Sequence, residues 1–207
     1  MIDKTIKTYN RYCKKYDQEV IEFWKNFPKK IIENFCRNLN GKKILDLGSG
    51  SGRDAIVLKD EGLEITCIDN SVEMVKITKK LGFKTIKKDI RKINFSKNSF
   101  DGVWAYTSLL HVSKKEMVEV IKKINFILKE KGIFLIGMIE GDFEGEIERE
   151  SMPGEKRYFK FYKPEKLKDI IGKIGFKLIC EENYQPHSKV YLNQIYIKNK
   201  RQVVQNA

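Results

Sequence analysis

Ile44 to Ala55 reads ILDLGSGSGRDA: an apolar run ending in an acid, glycines at 48, 50 and 52, then a polar stretch. Glycine at such a place lets the backbone take positive φ and lets a ligand touch the main chain. Three ligand chemistries use a loop of this kind: a dinucleotide, a nucleoside triphosphate and an adenosyl sulfonium compound. The dinucleotide fingerprint wants glycine or alanine at position 53, where Arg53 stands. A phosphate-binding loop needs Gly-Lys-Ser/Thr, which is absent.

The acids around the loop narrow the choice. Asp46 lies just before the first glycine; it would repel a pyrophosphate and attract an ammonium or sulfonium. Asp69 follows at the spacing from which a carboxylate accepts both hydroxyls of a ribose. Asp89, with the Ile90 backbone beside it, is placed to accept a hydrogen bond from an adenine amino group. Each acid alone reads equally well as a cap or turn residue. Three of them closing three successive strands beside one glycine loop point to an adenosyl sulfonium ligand.

Those strands follow from the hydrophobic pattern. Residues 42–47, 63–69, 83–89, 100–106 and 133–139 read as strands, separated by the helical stretches GRDAIVLKDEG, SVEMVKITKKLG and SKKEMVEVIKKINFILKEKG. In the last of these Met117, Val120, Ile121, Ile124 and Leu128 share a face, Ser113 is the expected N-cap and Gly132 the expected stop. Helix-separated strands make right-handed crossovers and a mostly parallel sheet. KLICEEN and VYLNQIYIK have no helix between them, so an antiparallel strand is expected to end the sheet. One or two helices precede the first strand. The fold class is α/β, a three-layer α/β/α sandwich with a mostly parallel sheet, its ligand beyond the strands' C-terminal ends. The expected organisation is one domain over 1–198, with a helical cap over 1–40, an insertion or lid over 140–163 and a tail over 199–207.

Composition sets outer limits. The chain of 207 residues is long enough for one sizeable core. No apolar run reaches the roughly 18 residues of a membrane span, and the N-terminus lacks a signal-peptide pattern, so a cytoplasmic setting is expected. Its 4 cysteines and 2 histidines form no cluster, so no metal site is expected. The net charge of +13 admits nucleic acid as a partner. The excess is mainly lysine spread along the chain, whereas sequence-specific binders favour arginine.

With these motifs assembled, the chain resembles the class I S-adenosylmethionine-dependent methyltransferases over about residues 40 to 140. ILDLGSGSG, CIDNS, KKDI and FDGVWAYTSLLHV look like their successive motifs, and the later segments resemble a group of small bacterial methyltransferases of type 11 and tellurite-resistance-like kind. The resemblance implies a Rossmann-like, seven-stranded sheet and S-adenosylmethionine as cofactor, with S-adenosylhomocysteine as product. By resemblance Gly48, Ser49, Gly50 and Gly52 line the methionine portion, Asp46 faces its amino group, and Asp69 with Asn70 holds the ribose. Asp89 and Ile90 meet the adenine, Met74 packs on its face, and Ala105 and Tyr106 border the cofactor. Tyr9, Tyr12 or Tyr16 is the aromatic expected to close the pocket from the N-terminal helices.

The acceptor side is read from the residues after the fourth strand. Ser108 to His111 face the acceptor, and His111 has the pKa of a general base; an apolar neighbourhood suits a structural histidine equally. Arg157 with Tyr158 and Tyr162 forms a candidate clamp for an anionic acceptor, with Tyr12 another substrate-binding candidate. The acidic segment Glu140 to Glu150 is a candidate lid. The expected function is methyl transfer to a small-molecule acceptor. Methylation of RNA or DNA and non-catalytic binding of the cofactor are the alternatives; an acidic lid would repel a phosphate backbone, and the fourth strand lacks the Asp/Asn-Pro-Pro-Tyr signature.

Overall fold

A computed structural model describes residues 2–199. Three helices come first: α1 (Ile2–Arg11), α2 (Cys13–Lys25) and α3 (Lys29–Asn38). The alternating part follows as β1 (Lys43–Leu47), α4 (Arg53–Asp60), β2 (Glu64–Asp69), α5 (Val72–Lys80), β3 (Lys84–Lys87), β4 (Phe100–Tyr106), α6 (Lys114–Ile127) and β5 (Leu128–Ile139). Then come β6 (Glu144–Glu148), β7 (Lys156–Lys160), α7 (Pro164–Gly172), β8 (Phe176–Tyr184) and β9 (Tyr191–Lys198). Of the expected tail, Asn199 donates its amide to the Gly175 carbonyl, and the rest lies outside the described residues.

Seven strands form one sheet in the order β3-β2-β1-β4-β5-β9-β8, parallel except for β9. Alternation along each central strand splits the core between its two faces. Leu45, Leu47, Val103, Phe134 and Ile136 pack with Met117, Val120 and Ile121 of α6 and Leu167 and Ile171 of α7. Ile44, Cys67, Trp104 and Leu135 pack on the other face with Ile31 and Phe35 of α3 and Ala55 and Leu58 of α4. Two helical layers sandwich the sheet.

Two expectations are corrected. The antiparallel strand does not end the sheet: β9 is inserted between β5 and β8, and β8 is the edge. Burial gives the reason, since β9 is buried through Leu192–Tyr196 as a central strand must be, whereas β8 alternates as an edge does. Asn193 and Gln194 mask this in the sequence, yet both are buried and bonded, to the carbonyls of Glu182 and Pro164 among others. The second correction concerns α6, which begins at the Ser113 capping box as expected but stops at Ile127. Leu128 pairs with Phe100 instead, while the Asn98 and Ser99 amides take the carbonyls of Phe126 and Ile127. Lys131, at φ 61°, takes the left-handed turn that Gly132 was expected to supply.

The 140–163 segment is built around a ribbon, β6 antiparallel to β7. Helix α1 packs on it: Tyr158 N donates to Thr5 Oγ1, Lys4 pairs with Glu146, and Arg11 with Glu155. Helix α2 is tied to α4 by a bidentate pair, Arg53 to Asp17 at 2.8 and 2.7 Å. Together α1, α2 and the ribbon roof the C-terminal ends of β1 and β4.

Candidate active site

The loop between β1 and α4 turns on Gly48, Gly50 and Gly52, with φ of 78°, 52° and 82°. Gly48 admits no side chain: a Cβ there would sit 2.4 Å from Cβ of Ser108. The amides of Gly48 and Ser49 donate to the Ile68 carbonyl at the end of β2, and the Gly50 amide donates to Asp69 Oδ2 at 2.9 Å. Asp69 Oδ1 accepts from Ser71 N at 2.7 Å, so this carboxylate braces the loop from β2.

Three acids converge beneath and beside the loop. Burial, with Asp54 and Asp69 near it, pushes the Asp46 carboxyl well above the usual range, and its Oδ2 has no partner. Burial likewise pushes Asp54 up to about 7, although the Trp104 indole N–H donates to it at 2.9 Å. Asp69 is raised by burial against the three backbone amides that bond it. A group of acids this costly to ionise together suits a cationic ligand, and the sulfonium and ammonium of S-adenosylmethionine fit it.

Two adjoining cavities open over the loop. The smaller, about 80 Å³, is lined by Asp69, Asn70, Met74, Asp89 and Ile90 among others. Asp89 caps a single 3-10 turn and is gripped by Arg91, whose hydrogen bonds outweigh burial and hold the carboxyl below its ordinary range. The larger, about 760 Å³, runs from Ser51 and Asp54 to Arg149, Arg157, Phe159 and Tyr191. Tyr9, Tyr16, Gly48, Gly50, Tyr106, Thr107 and His111 line both and mark their junction.

At that junction the hydrogen bonds define a proton arrangement. His111 Nδ1 lies 2.7 Å from the Tyr158 carbonyl, which can only accept, so Nδ1 carries the proton. Nε2 is then the acceptor and takes the Tyr9 hydroxyl at 2.8 Å. Arg157 Nη1 donates to the same Tyr9 oxygen at 2.8 Å. Burial, reinforced by Arg157 and Arg149 and opposed by the Tyr158 bond, drives the His111 pKa down to about 3. The imidazole is neutral with both nitrogens engaged.

Of the residues singled out in the sequence, Gly48, Ser49, Gly50, Asp69, Asn70, Met74, Asp89, Ile90, Tyr106, Ser108, His111 and Arg157 line one or both cavities. So do Tyr9, Tyr16 and Leu110, while Asp46, Gly52, Ala105, Tyr12, Tyr158 and Tyr162 sit elsewhere. Asp46 is buried under the loop; Gly52 caps α4 against Thr78; Ala105 turns to the α6 face; Tyr12 donates to the Pro153 carbonyl. Strand alternation sends Arg157 and Phe159 inward, while Tyr158 donates to Glu144 and Tyr162 joins the core. The segment expected to be an acidic lid has the opposite polarity toward the site. Glu144, Glu146 and Glu148 are exposed, the first two paired with Lys160 and Lys4, and the ribbon's arginines face the cavity.

Sequence reasoning passed over Asp54, Thr107 and Arg149. Asp54 reads as an ordinary helix-start acid, and Arg149 sits in a run dominated by glutamate. Thr107 takes φ 49°, uncommon for a β-branched residue, and nothing within the FDGVWAYTSLLHV motif singles it out.

Comparison with known proteins agrees with this geometry. A family model described as a methyltransferase domain matches residues 45–136. Over 183 residues the chain is 26% identical to an uncharacterised methyltransferase of Bacillus subtilis, YbaJ, covering 80% of this chain and 71% of that one. Among solved structures, a DhpI complex with S-adenosylhomocysteine superposes with TM-score 0.79 at 16% identity, over 97% of this chain and 98% of that one. The Burkholderia thailandensis 1,6-didemethyltoxoflavin-N1-methyltransferase, with its namesake ligand and S-adenosylhomocysteine bound, gives 0.69 at 16% identity, over 95% and 88%. At such identity the structural likeness is one of fold. Sheet order, glycine loop and the methyltransferase-domain match over residues 45–136 together support a class I S-adenosylmethionine-dependent methyltransferase. Its cofactor is S-adenosylmethionine.

Proposed function

We propose that this methyltransferase acts on a small-molecule acceptor held in the larger cavity. The observation that carries the reading is a half-open cavity of small-molecule size over the glycine loop. A space of about 760 Å³ is walled by the α1–α2 roof, the ribbon and the side chains of Tyr184 and Tyr191, and pockets of roughly 300 to 1,000 Å³ suit small ligands. Among the described residues, no helix is long and apolar enough to cross a membrane.

The cofactor, when bound, supplies a methyl group already activated on sulfur, so alignment and exclusion of water are the chain's main tasks. In this reading Asp69 and Asn70 hold the ribose, Asp89 and Ile90 border the adenine, and Met74 packs on the ring. Asp54, which faces the larger cavity, joins the buried Asp46 in favouring the cationic end. Tyr9 and Thr107 mark where acceptor and methyl meet. His111 enters as a positioning residue: its Nε2 accepts a hydrogen bond from the Tyr9 hydroxyl and fixes the phenol. Tyr9's oxygen, accepting one bond from Arg157, keeps a lone pair for an acceptor's hydroxyl or amine.

Incubation with methyl-labelled cofactor tests the reading. Label entering the low-molecular-weight fraction of a cell extract supports it; label entering total RNA instead overturns it.

A further inference from the structure

The larger cavity carries two guanidinium groups on one ring, next to the Tyr9–His111 pair. Arg149 and Arg157 lie over Phe159 with their central carbons 5.5 and 5.2 Å from its centroid. Arg157 is 1% exposed, yet its Nη2 has no hydrogen-bond partner, and neither has Nε of Arg149. Among the described residues, no carboxylate pairs with either arginine. Lys189 is close enough that both, after burial, lower its pKa.

Two like charges held against one ring, with buried N–H groups unmet, repel each other and cost desolvation. Natural structures leave few such donors unsatisfied, and those few call for an explanation. Carboxylate and phosphate oxygens match the guanidinium fork. Phe159, Tyr184, Tyr191, Leu110 and Pro186 give the same cavity aromatic and apolar lining.

We infer that the acceptor is an aromatic acid whose carboxylate or phosphate is bound by Arg149 and Arg157. This rests on the small-molecule reading and sharpens it. Arg157 also donates to the Tyr9 hydroxyl at 2.8 Å, so an acid held by this pair lies beside the junction with the cofactor cavity. The acids Asp54 and Glu19 line the same cavity as the two arginines. The alternative source of the anion is the carboxylate of the cofactor's own amino acid, and affinity for S-adenosylhomocysteine separates the two.

The experiment uses the full chain saturated with S-adenosylhomocysteine. Calorimetric titrations compare benzoate, 4-hydroxybenzoate and phenyl phosphate with phenol and benzyl alcohol. The anionic probes are expected to bind about tenfold or more tightly than the neutral ones, with Arg149→Gln abolishing the difference. Affinity of the variant for S-adenosylhomocysteine alone should match the wild type. Equal binding of acids and alcohols, or binding of none, overturns the proposal. So does a variant that weakens S-adenosylhomocysteine about tenfold, since the anion would then be the cofactor's. The small-molecule reading fails differently, by label entering RNA in the transfer assay, and survives if a neutral small molecule is methylated.

Discussion

Tyr9 donates its hydroxyl proton to Nε2 of His111 across 2.8 Å, joining the first helix to the turn after β4. In the proposed reading His111 is a brace, because the lone pair a base would use accepts the Tyr9 hydroxyl. Tyr9→Phe should therefore lower kcat by about tenfold to a hundredfold and leave S-adenosylhomocysteine affinity near wild type. His111→Asn should lower kcat similarly, and wild-type kcat should show no inflection near the ordinary histidine pKa. Steady-state rates between about pH 5 and 8 check both.

The same histidine makes a stability prediction with a definite sign. Its folded pKa of about 3 lies below the ordinary 6.5, so the unfolded chain binds the extra proton between those values. The stability tied to neutral His111 is complete above about 6.5 and drains as the pH falls toward 3. Urea midpoints of wild type and His111→Asn should thus converge on acidification and separate at neutral pH.

Asp54 and Asp46 act in the other direction. Both carboxyls are raised by burial, so part of the pair holds a proton near neutrality, and binding a cation must expel it. Cofactor affinity should rise with pH from about 6 to about 8, by up to about tenfold per unit if one proton leaves. Asp54→Asn should weaken binding and flatten that slope. Calorimetry in two buffers of different ionisation enthalpy counts the proton directly.

Asp69 has two duties, bracing Gly50 and, in the proposed reading, holding ribose. Asp69→Ala should weaken S-adenosylhomocysteine by about 1 to 3 kcal/mol and loosen the loop. Wild-type affinity would remove the ribose assignment.

Thr107 at φ 49° is strained where the two cavities meet. Asparagine tolerates that backbone better. Thr107→Asn should gain about 1 kcal/mol of stability and slow turnover. Unfolding and rate measurements on one preparation test both halves.

The sheet and cofactor loop were legible because they are written in local pattern. Strands with Asp46, Asp69 and Asp89 at or just past their C-terminal ends, and glycines where positive φ is needed, leave few other folds. What the sequence hid is long-range. The place of β9 depends on pairing with β5 and β8, and its buried Asn193 and Gln194 look like surface residues until their partners are seen. The end of α6 is decided by the capture of Leu128 opposite Phe100, against a helical periodicity that runs on. At the site, Arg149 and Asp54 are ordinary charges in sequence and become unusual only through burial. The role of Tyr9 depends on a partner 102 positions away.

A crystal structure with S-adenosylhomocysteine bound tests the account most directly. It predicts adenosine beside Asp69, Met74 and Asp89, with sulfur at the junction of Tyr9, Tyr106, Thr107 and His111, facing the chamber that holds Arg149 and Arg157. A sulfur turned away from that chamber, or a ligand filling it and leaving no room for an acceptor, would contradict the account.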